Sequence, residues 1–264
     1  MSVVTVQPSK GRGGSASERI PLEERNGSNS SQPSIVVDDY DDDSDDDIPK
    51  GMEALEDVAN LIITQDMARD IKAGCCSGLT YDIRGNDEDL YYATEDKNCF
   101  CRWTCGPARS FMMRIFDRRS DLEMMSLKRA ACRCDWWCCL DKCCCQHSII
   151  IQNYNKETMG FIRQKFHIFG AKLDVLNRNR EVKFKIKGPC CPCRCCQELI
   201  FDIYDKEGEK CMGYILKTWQ GYNPETNMDH ENFEVRFPMG ISAKDKALLL
   251  GAAYLVNFMY FEMS

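Results

Sequence analysis

Histidine is scarce in this chain, three in 264 residues, and with it go most arrangements that use imidazole as a base or a metal ligand. His147, His167 and His230 stand far apart, and neither H-E-x-x-H nor G-x-S-x-G occurs. No glycine-rich loop is set to cradle a phosphate. A hydrolase, a metalloprotease or a nucleotide-dependent enzyme is therefore not indicated, and no covalent chemistry is expected. Met1 to Pro8 lacks a basic start followed by an apolar stretch, so the chain is expected to keep its thiols in a reducing compartment. Ser2 in place of glycine argues against myristoylation, and Phe261-Glu262-Met263-Ser264 offers no prenylation cysteine. Net charge is also nearly absent from most of the length: of a net -7, residues 1–50 hold -6. The remainder has no global field of the kind that draws nucleic acid, and no nucleic-acid partner is indicated.

What is present divides into three stretches. Residues 1–50 are rich in Ser, Gly, Asn and Asp, include the acidic run Asp38 to Asp47, and bury too little to order themselves. They read as a disordered acidic tail ahead of a single domain over 51–264. Leu55, Val58, Leu61 and Ile62 then fall at helical spacing and predict one short amphipathic helix. After Gly74 the pattern changes to short strands: around Tyr91-Tyr92-Ala93, Phe111 to Asp117, Met124 to Lys128, Ile149 to Gln152, Met159 to Gln164, Lys172 to Leu176, Val182 to Ile186, Leu199 to Asp205, Lys210 to Leu216 and Phe233 to Phe237. Gly85-Asn86, Asn177, Gly188-Pro189, Gly208 and Asn223-Pro224 punctuate them. Many short strands without intervening helices imply a mainly β chain, an antiparallel barrel or sandwich.

The last stretch, Lys246 to Glu262, is apolar all round, so a helix there must be surrounded by protein or by lipid. Its 15 apolar residues, Asn257 included, span about 22 Å, short of the roughly 30 Å hydrocarbon core. Length favours a buried core helix built on Lys246, Leu250, Phe258 and Phe261. A tilted, inserted helix bounded by Lys244 and Lys246 is the alternative.

Eighteen cysteines are the strongest compositional feature, and they are clustered. Cys75-Cys76 form one group, Cys99, Cys101 and Cys105 a second, and Cys132, Cys134, Cys138, Cys139, Cys143, Cys144 and Cys145 a third. Cys190, Cys191, Cys193, Cys195 and Cys196 form the fourth, and Cys211 stands alone. Adjacent thiols diverge on an extended chain and make poor tetrahedral zinc ligands. The fourth cluster has two C-x-x-C spacings and keeps a zinc or thiol-buffer reading open. Acylation needs only accessible thiols near a bilayer, and two or more chains, at about 0.8 kcal/mol per buried methylene, anchor stably where one does not. Trp136 and Trp137, beside Cys138, suit the headgroup interface.

These residues resemble a known family. Gly106-Pro107-Ala108-Arg109-Ser110-Phe111, the cysteine stretch 132–145, the run Gly188-Pro189-Cys190-Cys191-Pro192-Cys193-Arg194-Cys195-Cys196, Asn232 to Pro238 and the ending Lys246 to Glu262 are, in that order, similar to the phospholipid scramblases. The resemblance implies a closed antiparallel, tubby-like barrel threaded by the apolar C-terminal helix. It implies ATP-independent, bidirectional, Ca²⁺-promoted movement of phospholipids, with palmitate on Cys138, Cys139, Cys143, Cys144 and Cys145. A phospholipid membrane is the implied partner, the cytoplasmic face of the plasma membrane the implied place, and a homo-oligomer a further implied assembly. A palmitoylated, membrane-tethered interaction or signalling module without scrambling of its own is the alternative function.

The family's Ca²⁺ segment maps onto Asp229 to Gly240, with Asp229, Glu231, Phe233 and Val235 as its ligand positions. An EF-hand-like loop wants oxygens at positions 1, 3 and 5, glycine at 6 and a carboxylate at 12. Asp229 and Glu231 satisfy the first two, but Phe233, Glu234 and Gly240 occupy the others, so weak Ca²⁺ binding is expected. The alternation Phe233, Val235, Phe237 also suits an ordinary strand. The family's nuclear-import segment would fall on Gly213 to Gly221, where Lys217 is the only cation, and its proline-rich tail is absent.

Overall fold

The computed structural model describes residues 48–66, 79–96, 110–129, 147–165, 167, 170–189, 198–223 and 228–260, with side chains for all of these but 219–231 and Tyr260. The acidic run, Phe261 and all the cysteines except Cys211 lie outside the described residues. Twelve antiparallel strands form the wall: β1 (Asn60–Gln65), β2 (Thr80–Gly85), β3 (Glu88–Glu95), β4 (Phe111–Asp117), β5 (Glu123–Arg129), β6 (Ser148–Asn153), β7 (Thr158–Lys165), β8 (Lys172–Asn177), β9 (Val182–Lys187), β10 (Leu199–Tyr204), β11 (Cys211–Asn223) and β12 (Met228–Arg236). Each pairs with its sequence neighbour, and β1 closes the ring onto β12 through Asn60↔Arg236 to Thr64↔Asn232. Closure leaves no free edge.

Ten of these strands fall where alternation predicts them. β1 is a correction: the expected amphipathic helix is one 3-10 turn, Glu53–Leu55, followed by a strand. Leu61 and Ile63 are fully inside while Ile62 is 39% exposed, a period of two, and both edges of this strand are needed to join β2 to β12. β2 was not foreseen either. Elsewhere the rule is plain: Phe111, Met113 and Ile115 of β4 point inward and are buried, with Met112, Arg114 and Phe116 between them half-buried.

A barrel this wide leaves an interior that wall side chains alone do not fill. α1 (Ala243–Tyr260), about 27 Å long, occupies it. Its residues from Ala243 to Phe258 are buried except Lys244, which is half-buried, so an all-round apolar helix has an all-round apolar surrounding. The Ser242 hydroxyl caps its start by accepting the Asp245 amide at 3.1 Å. Two glycines set how closely helix and wall approach. A Cβ on Gly251 would lie 2.4 Å from Ile151 Cδ1, and one on Gly160 of β7 would lie 2.3 Å from the Leu176 carbonyl oxygen and 2.8 Å from Leu248 Cδ2.

Because the strands alternate in direction, the connections sort onto two rims. At one rim they are two to six residues long; at the other they run from four to eighteen. The short rim uses a repeated turn. In Asn153-Tyr154-Asn155-Lys156-Glu157, Asn153 Nδ2 donates to Glu157 and its Oδ1 accepts the Glu157 amide, both at 2.9 Å. Asn177-Arg178-Asn179-Arg180-Glu181 repeats both bonds at the same distance. Lys156 and Arg180 take the left-handed conformation, φ 65° and 66°, that closes such a loop.

Candidate functional site

Seventeen of the eighteen cysteines belong to four of the long-rim connections, those that follow β1, β3, β5 and β9. Cys138, Cys139, Cys143, Cys144 and Cys145 lie between Arg129 and His147, and Cys190, Cys191, Cys193, Cys195 and Cys196 between Pro189 and Glu198. These thiols themselves are outside the described residues, but the strand ends that bracket them are not. Cys211, at the start of β11 on the short rim, is the exposed exception.

α1 enters at the short rim and runs back toward the cysteine-bearing one. At its start Lys246 Nζ donates to the carbonyls of Leu55 and Glu56, at 2.9 and 2.7 Å, where the 3-10 turn ends and where the Leu55 oxygen also accepts the Val58 amide. Burial lowers its pKa, against the opposing pull of Asp57 and Glu56. Asp245 is raised, chiefly by burial, while Lys183 at 3.6 Å acts to lower it. Leu250 is fully enclosed at mid-length. Near the cysteine-bearing rim Asn257 Nδ2 donates to the Tyr81 hydroxyl at 3.0 Å, Tyr81 meets Tyr254 edge-on at 5.3 Å, and the Phe258 ring lies 4.0 Å from that of Phe111. The helix residues expected as membrane or core, Lys246, Leu250 and Phe258, are core. No helix among the described residues is long and apolar enough to cross a membrane.

A cation and an imidazole bracket the third cysteine cluster. The Arg129 guanidinium, on a residue 4% exposed, donates to His147 Nδ1 and faces the Phe111 ring at 5.9 Å. The ring nitrogen must accept, so the imidazole is neutral with its proton on Nε2. Burial, then the neighbouring Arg129 charge, lower the His147 pKa to about 4. Sequence reading missed this pair, as it missed Lys183 with Asp245. A buried Arg ending one strand and a His opening the next was the available signal.

The Ca²⁺ segment is not a loop up to Arg236. Met228 to Arg236 is strand, bound to β11 and β1 on its two edges, with Phe233 opposite Lys217 and Ile63, and Val235 opposite Ile215 and Leu61. A strand paired on both sides commits its carbonyls to the ladders. The Phe233 and Val235 side chains are 3% and 0% exposed, inside the barrel. Gly240 lies beyond the strand in a left-handed turn, φ 75°. The Phe233 and Val235 positions therefore do not fit an EF-hand-like cation site, because their backbone is already engaged. The Asp229 and Glu231 side chains lie outside the description. Among the described residues no group of three or more His, Cys, Asp or Glu is arranged to hold a metal ion.

The Scramblase family profile matches residues 44–263, the whole barrel and its helix. The chain belongs to the phospholipid scramblase family. Phospholipid scramblase 2 of Bos taurus is 34% identical over 218 residues, 82% of this chain and 73% of the relative. Human phospholipid scramblase 1 is 34% identical over 216 residues, covering 81% of this chain and 66% of its own length. Human phospholipid scramblase family member 5 is 30% identical over 220 residues, 82% of this chain and 79% of the relative. No solved structure matches. The scramblase-like motifs that bear cysteines, 132–145 and 188–196, follow β5 and β9, while Asn232 to Arg236 and α1 form wall and core.

Proposed function

We propose that this scramblase-family barrel moves phospholipids between leaflets without ATP and in both directions, attached to the cytoplasmic face of the plasma membrane by palmitate on its cysteine-bearing rim. The observation that carries the reading is the family match over 44–263, joined to a strand order in which the four connections that contain seventeen cysteines all leave from the same rim. Several acyl chains at one rim would hold the barrel end-on, since two or more anchor stably. The described helix fills the barrel, so a lipid path through its centre is not part of the mechanism. The barrel instead acts on the bilayer from one side, as a homo-oligomer whose clustered acyl chains perturb headgroup packing and lower the barrier to crossing. Ca²⁺ promotion enters only at the millimolar level of sites with few rigid ligands.

Reconstitution of the acylated, purified chain into liposomes with a headgroup-labelled phospholipid and an impermeant quencher tests the proposal. Quenching that passes beyond the outer-leaflet fraction without ATP, from label placed in either leaflet, is the expected result. Quenching confined to the outer leaflet, with the protein still acylated and attached, would overturn it in favour of a membrane-tethered interaction module.

A further inference from the structure

The outer wall is unevenly charged. Across β2 to β4 and the turn after it, each cation among the described residues meets a carboxylate: Arg84 with Asp89, Arg118 with Asp82, Arg119 with Glu88, Arg114 with Asp96. Across β7 to β9 cations meet one another instead. Lys165 stands opposite Lys172, and Lys172 opposite Lys187. One row further from the rim, Arg163 and Lys185 flank Asp174. Five cations thus share a face with Asp174 and, on β10, Asp202 opposite Lys187.

The barrel neutralises them only in part, with Asp174, Asp202 and Asp205 set against five cations. Lys165 reaches Asp174 at 3.1 Å, but that carboxylate's side chain is only 8% exposed and is the only acid within the β7–β9 rows. Lys185 and Lys187 donate to the carbonyls of Glu207 and Gly208 at 2.9 and 2.6 Å, and the nearby carboxylates of Asp205 and Asp202 offset these two charges in part. Lys172 has no carboxylate partner among the described residues. Like charges directly opposite on a sheet destabilise it, so a lysine row kept in this register calls for compensation from outside.

Its place says from where. Lys165, Lys172 and Lys187 are the strand ends at the cysteine-bearing rim. Lys187 is three residues ahead of Cys190, so chain reach alone keeps their Cα atoms within about 11 Å. Ile200, 52% exposed, lies on the same outward face of β10 as Asp202 and one step nearer that rim. Cations, an exposed aliphatic side chain and a neighbouring thiol cluster form the combination that holds a protein to an anionic bilayer.

We propose that the β7–β9 wall, centred on Lys165, Lys172 and Lys187, is a docking surface for anionic phospholipid headgroups that sets which side of the barrel leans onto the membrane. This rests on the membrane reading above and adds its lipid class and orientation. The test uses the full chain without acyl groups and vesicles of phosphatidylcholine, alone or with phosphatidylserine. Wild-type protein is expected to sediment with the anionic vesicles only, and less as salt rises. Lys165→Gln with Lys172→Gln and Lys187→Gln is expected to weaken that partition on the order of 100-fold. The equal-charge control at the short rim, Lys156→Gln with Lys206→Gln and Lys210→Gln, is expected to weaken it roughly threefold or less. Matching thermal unfolding of both triples to wild type excludes misfolding as the cause.

Equal binding to neutral vesicles, equal loss in the two triples, or preferential capture of a duplex oligonucleotide by the same three lysines would overturn the proposal. Lipid transport measured in neutral liposomes separates the two readings. Transport that persists with no anionic preference removes this surface alone, whereas anionic preference without transport removes the scramblase activity alone.

Discussion

The two rims of this barrel share strands, core and helix, yet differ in the length and composition of the connections that leave them. The short rim is closed by tight turns whose side chains satisfy their own backbone, as the paired Asn153–Glu157 and Asn177–Glu181 loops show. The other rim gives the chain to long connections that hold seventeen cysteines. A closed wall makes this division affordable, because neither rim has to supply an edge for pairing. The described packing sits in the wall, the helix and the short turns, and the cysteines are concentrated where the connections are long.

Removing the rim thiols is the largest way to break this comparison. On the proposed palmitoylation, Cys138→Ala with Cys139→Ala, Cys143→Ala, Cys144→Ala and Cys145→Ala is expected to shift the protein from membrane to soluble fractions, at least tenfold, because a buried acyl chain contributes about 0.8 kcal/mol per methylene. Cys211→Ala, at the short rim, is expected to leave fractionation unchanged. A comparable loss from Cys211→Ala would erase the distinction.

The shared core comes next. Leu250→Ala, at a fully buried helix position, is expected to cost about 2–5 kcal/mol in denaturant unfolding. A cost below about 1 kcal/mol would mean that the helix does not pack inside the wall.

Acid sharpens the contrast between the rims. His147 has a pKa of about 4 when folded and an ordinary value of 6.5 when unfolded, so the unfolded chain takes up its proton first. This contribution is intact above about 6.5, is lost progressively as the pH falls to about 4, and is constant below that. Allowing for solvent screening of a half-buried ring, the loss is on the order of 1–2 kcal/mol. His147→Gln should flatten that acid limb, whereas Asn177→Ala at the short rim should lower stability by about 1–2 kcal/mol at every pH through its two lost bonds.

How much of this was legible in the sequence follows from which interactions are local. Alternation exposed ten strands, because each inward residue is two positions from the next. β1 was misread because Leu55, Val58, Leu61 and Ile62 also fit a period near four, and only the distant partners Phe233 and Val235 decide between the two. β2, Thr80-Tyr81-Asp82-Ile83-Arg84-Gly85, has too few apolar residues to announce itself. The contacts that fix the helix, Lys246 on Leu55 and Asn257 on Tyr81, join residues 191 and 176 positions apart. No local pattern shows these. For the Ca²⁺ segment, the strand alternation of Phe233, Val235 and Phe237 described the backbone better than the ligand spacing did.

The smallest expected effect concerns exposed charge. Arg119 and Glu88 pair at 2.8 Å with side chains 72% and 65% exposed, so Arg119→Ala should alter stability by less than about 1 kcal/mol, and less still in high salt.

The central claim is that α1 remains the barrel's core while the cysteine-bearing rim meets the bilayer. A photo-crosslinking phenylalanine analogue at Phe258, irradiated in native membranes and mapped by mass spectrometry, tests it most directly. Adducts within the same chain on β4, where Phe111 packs against this ring, are the predicted result. Adducts on phospholipid acyl chains would contradict the account.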